Sequence, residues 1–107
     1  MTDQKGRNMF MDFLREKLET MVYADIAITE EIYEGSSAIK IAIKQEGNVT
    51  WKFDWLISWI EFEYHCNSFG IEGYANLVSK KIFENYVNSI LNHFIRDGAP
   101  VVVRITH

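Results

Sequence analysis

The chain has 107 residues, 48% of them hydrophobic and 24% charged, and a formal net charge of −4. That length fits one domain with its own core, residues 1–107, and the supply of Ile, Phe, Trp and Tyr against one proline excludes a disordered chain. The acidic balance has the wrong sign for a protein whose main task is to hold nucleic-acid phosphates, so nucleic acid is not the expected partner.

The one cysteine, Cys66, allows no internal disulfide, and the expected setting is cytoplasmic. The N-terminus is polar, without the apolar run of a signal peptide. No apolar run approaches the roughly 20 residues of a membrane span, so no membrane is expected either.

In chain order, residues 1–7 read as a frayed end. From Asn8 the stripe Phe10, Leu14, Leu18 and Met21, with Phe13 and Val22 beside it, predicts an amphipathic helix. The period then becomes two. Ile26, Ile28 and Ile32 share one face of a strand, and Glu30 interrupts that face, which suggests a bulge or frayed end. Glu34–Ser37 reads as a turn. Ile39, Ile41 and Ile43 alternate with Lys40 and Lys44 in a second strand, and Gly47 suits a second tight turn.

Val49–Tyr64 carries all three tryptophans, Trp51, Trp55 and Trp59. Trp51, Phe53 and Trp55 alternate with Lys52 and Asp54, which predicts a central core strand. Beyond Trp55 the apolar phase changes to Leu56, Ile60, Phe62 and Tyr64, and one straight strand cannot bury one face across that change. The strand reading puts a bulge or bend at Leu56–Trp59, with Trp59, Leu56 or Ile60 turned away from the core. The rival reading starts a helix at Ser58, with Ser58 and Glu61 as a capping box.

Cys66–Gly73 reads as a glycine-containing loop, followed by a helix from about Tyr74 or Asn76 to Asp97. Its rows Val78, Ile82, Tyr86, Ile90, Phe94 and Phe83, Val87, Leu91, Ile95 form a broad apolar face. Gly98 and Pro100 end it, and Val101–Thr106 reads as a last strand. The expected fold is therefore α+β: an antiparallel sheet of four to five strands with two helices on one face, in the order α-β-β-β(β)-α-β.

No catalytic motif is present, so no enzyme is expected and no cofactor is assigned. His65 and Cys66, with His93 or His107, lack the paired spacing of zinc ligands. A pocket built on Glu63, His65 and Cys66 is the remaining catalytic alternative. The acids Asp25, Glu30, Glu31 and Glu34 read either as a solvated edge or as a patch for a basic partner surface. With Ala27, Thr29, Lys40, Ala42 and Lys44, part of that cluster forms a flat outer face.

Ser79-Lys80-Lys81 in the last helix, with the order helix, three strands, helix over residues 8–96, resembles double-stranded-RNA-binding domains. The resemblance implies RNA binding as a minor alternative. The family's further basic residue and its histidine-bearing loop have no match here.

The leading expectation is a small acidic protein that binds a protein partner with a basic surface through Asp25, Glu30, Glu31, Glu34 and Trp59. It would regulate or inhibit that partner, as small phage or mobile-element inhibitors of host defence do; that comparison rests on size and charge only. A homodimer or other homo-oligomeric accessory subunit is the second reading.

Overall fold

The computed structural model describes residues 4–45, 50–96 and 102–105, with residues 93–96 and 102–105 described in backbone only. It is an α+β arrangement in which a three-stranded antiparallel sheet carries two helices.

The first helix, α1, spans Gln4–Met21 and not Asn8 onward. Its buried stripe is Arg7, Phe10, Leu14 and Leu18, so an arginine continues the row that the three apolar residues begin. The residues read as a frayed end thus include the first helical turn. Side-chain contacts to the sheet hold that turn in place, and helix periodicity does not register them.

Strand β1 (Asp25–Tyr33) pairs with β2 (Ser36–Lys44) through the two-residue turn Glu34–Gly35, where Gly35 takes φ 70°. A left-handed φ favours glycine, which lacks the Cβ that would clash there. The register runs unbroken from Asp25↔Lys44 to Tyr33↔Ser36, so the bulge expected near Glu30 is absent. Strand β3 (Thr50–Ser58) pairs antiparallel with β2, from Lys44↔Thr50 to Ser36↔Ser58. The turn expected at Glu46–Asn48 lies outside the described residues.

The antiparallel sheet therefore has three strands and not four to five. The ends of the strand expected over Val101–Thr106 lie outside the described residues. Val102–Ile105 is placed as a short segment, β4, parallel to β3 and not as a further antiparallel strand.

The preferred reading of the tryptophan stretch also needs correction. Alternation in β3 continues through Trp51, Phe53, Trp55 and Ile57, all buried. At Trp59 the chain enters the second helix, α2 (Trp59–Arg96). The Ser58 hydroxyl accepts the Glu61 N–H at 3.1 Å, as an N-cap does. The phase change is thus a change of period from two to 3.6: Phe62 turns inward while Ile60 and Tyr64 face solvent.

The stretch read as a loop at Cys66–Gly73 is helical except at Gly70, whose φ 76° and ψ 162° break α2 into two arms. The second arm contributes Tyr74, Ala75, Val78, Ile82 and Tyr86 to the core. In the adjacent row Phe83 packs against the core, whereas Val87 and Leu91 are exposed. Phe94 and Ile95 lie outside the described side chains.

The core sits between the helices and the inner face of the sheet. Phe10 meets Phe62 edge-on at 5.2 Å and Tyr74 at 5.2 Å, and Trp51 meets Tyr86 edge-on at 6.2 Å. Such ring pairs add about 0.5–1.5 kcal/mol each beyond the area they bury.

Candidate functional site

With both helices on one side, the other face of the sheet is open among the described residues. Cross-strand pairing arranges it in rows. Tyr33, Ser36 and Ser58 lie at the hairpin end, followed by Glu31, Ala38, Leu56, then Thr29, Lys40, Asp54, then Ala27, Ala42, Lys52, and last Asp25, Lys44, Thr50. Tyr33 and Leu56 are about half exposed. Together they put an apolar patch at the hairpin end of a face that is otherwise small and charged.

Around Lys40 the charges on this face alternate by strand, although Lys52 adds a base on β3. Lys40 Nζ lies 3.4 Å from Glu31 on β1 and 3.5 Å from Asp54 on β3. Asp54 and Glu31 together raise the Lys40 pKa, and the Tyr33 hydroxyl and Lys40 hold the Glu31 carboxyl below the usual value. Exposed pairs of this kind contribute little stability each. Their consequence is a fixed charge pattern that a docking surface would meet.

The expected site residues divide between two places. Asp25 and Glu31 share the outer face, and Glu34 is exposed in the hairpin turn. Glu30 points the other way, into the layer between α1 and the sheet. There its carboxylate accepts hydrogen bonds from Arg7 Nε at 2.7 Å and Gln4 Nε2 at 2.8 Å. Only 6% of each side chain of the Arg7–Glu30 pair is exposed.

Burial alone would raise the Glu30 pKa. Hydrogen bonds from Gln4, Ser37 and Arg7, with the guanidinium charge, outweigh burial and hold it below the ordinary value. Trp59 belongs to the same network. Its ring lies 4.5 Å from the Arg7 guanidinium carbon, and its Nε1 donates to the buried Ser37 Oγ at 3.0 Å. The Trp59 amide also donates to the Gly35 carbonyl at 3.1 Å, tying the start of α2 to the hairpin turn. Glu30 and Trp59 thus brace the hairpin from behind, while Asp25, Glu31 and Glu34 present it to solvent.

Sequence reasoning passed over Gln4, Arg7 and Ser37. A signal was available: an acid on the inward side of an alternating strand requires a buried partner, and Arg7 lies three residues before Phe10 on the buried stripe of α1.

Glu63, His65 and Cys66 sit on the first arm of α2. Glu63 is exposed, and the His65 ring stacks on Tyr74 at 4.8 Å. Burial pushes the Cys66 thiol up, opposite to the shift of an activated nucleophile. Among the described residues no three His, Cys, Asp or Glu are grouped as a metal site requires; the His93 side chain and His107 lie outside them. An open depression of about 640 Å³ flanks the break at Gly70, between Phe13, Phe69 and Ile71, and the Lys17–Glu72 pair spans it at 3.4 Å.

Fold and face together define a class: a small α+β domain whose sheet is covered, among the described residues, on one side. No family model, curated protein or solved structure matches the chain. The order α-β-β-β-α is the one the double-stranded-RNA-binding resemblance implies, and Lys80 and Lys81 are exposed on α2. No helix among the described residues is long and apolar enough to cross a membrane.

Proposed function

We propose that this chain is a small cytoplasmic macromolecule-binding protein. It docks on a protein partner through the open sheet face and the acidic β1–β2 hairpin, and regulates or inhibits that partner by occupying its surface. The observation that carries this reading is the uncovered face. It combines exposed Tyr33 and Leu56, small residues at Ala27 and Ala42, and charges held in a fixed pattern around Lys40. Aromatic and apolar anchors ringed by oriented charge are the features from which docking surfaces draw affinity and specificity. A host-defence inhibitor of phage or mobile-element type fits the size and charge, by analogy only.

Affinity capture from the native host with the tagged chain, alongside Leu56→Lys and the double variant Glu31→Lys with Glu34→Lys, tests the proposal. Wild type should recover one specific partner. Both variants should lose it, and the charge reversal should matter more at low salt, where Coulomb terms are least screened. Equal capture by all three forms would sink the reading. Light scattering on the same proteins separates the oligomer alternative: a dimer that Leu56→Lys dissolves would assign the face to a second copy.

A further inference from the structure

β1 is the first strand in the sheet order, hydrogen-bonded among the described residues to β2 alone. Folded proteins usually blunt such an edge with a short strand, lysine, proline or a bulge. β1 runs nine residues in unbroken register and contains neither lysine nor proline; the charges it does carry, Asp25, Glu30 and Glu31, are all acidic. Its one inward-pointing charge, Glu30, is already taken up by Arg7.

The two-residue turn closes on the Tyr33–Ser36 pair. Antiparallel alternation then directs the backbone groups of the odd-numbered residues of β1 to β2. Those of Ile26, Ile28, Glu30 and Ile32 are directed to the free edge. Exposed apolar side chains gather beside this edge: Tyr23 is fully exposed, Ile32 is 54% exposed and Tyr33 48%.

Charge selects the occupant. Lys40 on β2 lies between an acid on β1 and an acid on β3. One strand further out, the alternation calls for bases beside Asp25 and Glu31. A second copy of β1 would offer only acids there; centred on Ile28, it would set Asp25 opposite Glu31 of its mate.

We propose that the free edge of β1 accepts an extended, basic segment of the partner as an added strand, bonded to the backbone of Ile26, Ile28, Glu30 and Ile32, with lysine or arginine set against Asp25 and Glu31. This deepens the docking reading above, on which it rests, and names the partner element that the edge takes.

The probe is a panel of synthetic nine-residue peptides alternating Lys or Arg with Val or Thr, with glutamate-substituted counterparts, titrated into the full chain at low salt. Amide exchange should slow at Ile26, Ile28, Glu30 and Ile32 and stay unchanged at the odd-numbered residues between them. Affinity should fall roughly tenfold or more when Asp25 and Glu31 are reversed to lysine. It should also be lost when alternate peptide amides are N-methylated, a change that leaves the protein intact. Ile32→Pro removes one edge N–H at a position where an edge strand tolerates proline, and should weaken binding likewise.

Absence of even-residue protection, equal binding of glutamate peptides, or the same protection arising from self-association would overturn the proposal. Partner capture abolished by Leu56→Lys but indifferent to Ile32→Pro would overturn the edge proposal and leave the docking reading standing. Peptide addition at β1 without any captured partner would do the reverse.

Discussion

Arg7 and Glu30 are the residues whose removal should be felt most in stability. Breaking a buried pair by removing one member leaves the other charge without compensation. Glu30→Ala or Arg7→Ala should therefore cost about 3 kcal/mol, at the low end of the range for such pairs, measured by urea unfolding. The double replacement Arg7→Met with Glu30→Leu should recover most of that loss, because no uncompensated charge remains. The pH dependence follows from the same contacts. Glu30 titrates below the ordinary glutamate value of 4.5 in the folded chain. Its contribution is complete above that value and is lost as pH falls through the lower, folded-state value. Glu30→Gln should flatten the acid limb of the stability curve there; an unchanged acid limb would mean that the pair is not formed in solution. Glu30 was legible as an anomaly, an acid breaking the row Ile26, Ile28, Ile32. Its partner was legible only in part: Arg7 continues the buried stripe of α1 three residues before Phe10, but spacing within one element does not say which residue of another element it meets.

At the scale of elements, the informative boundary is Ser58–Trp59. Loss of an N-cap costs about 1 kcal/mol, so Ser58→Ala should lower stability by that amount and Ser58→Asp should preserve it, read by thermal unfolding. Gly70 is the other element-level control. A Cβ there would meet no atom within 4 Å, so the effect of Gly70→Ala comes from the backbone alone. Its φ and ψ fall in a region open essentially to glycine, and alanine should cost about 1–3 kcal/mol. Relief through a straightened α2 would appear as increased helical circular dichroism in place of that loss. Both features were partly legible. Ser58 and Glu61 gave the capping pattern, but the aromatic alternation before them outweighed it, since periodicity reports each segment's period and not where one period hands over to the next. Gly70 and Gly73 looked like a loop because glycine weakens both helix and strand; only Gly70 uses a positive φ.

For the molecule as a whole, docking depends on surface and not on core. Leu56→Lys and Glu31→Lys alter exposed positions and should shift stability by no more than about 0.5 kcal/mol, while removing partner capture. A large loss of stability in either would place those side chains in the fold and not in docking. The outer face was legible in its membership, since alternation assigned Asp25, Ala27, Thr29, Glu31, Lys40, Ala42 and Lys44 to one side. Alternation also lets Glu30 be separated from that set, yet proximity in sequence had grouped it with Glu31.

The sequence by itself determined the α+β class, the alternation of β1 to β3 and much of the core, from Phe10, Leu14 and Leu18 through Ile39, Ile41, Ile43, Trp51, Phe53 and Trp55 to Val78, Ile82 and Tyr86, because periodic burial is a local property written in residue spacing. Only the tertiary structure decided that Arg7 answers Glu30 and that Trp59 opens a helix and braces the hairpin. Each depends on which elements share a layer, and that is settled by packing helices against a sheet and not by the spacing within either.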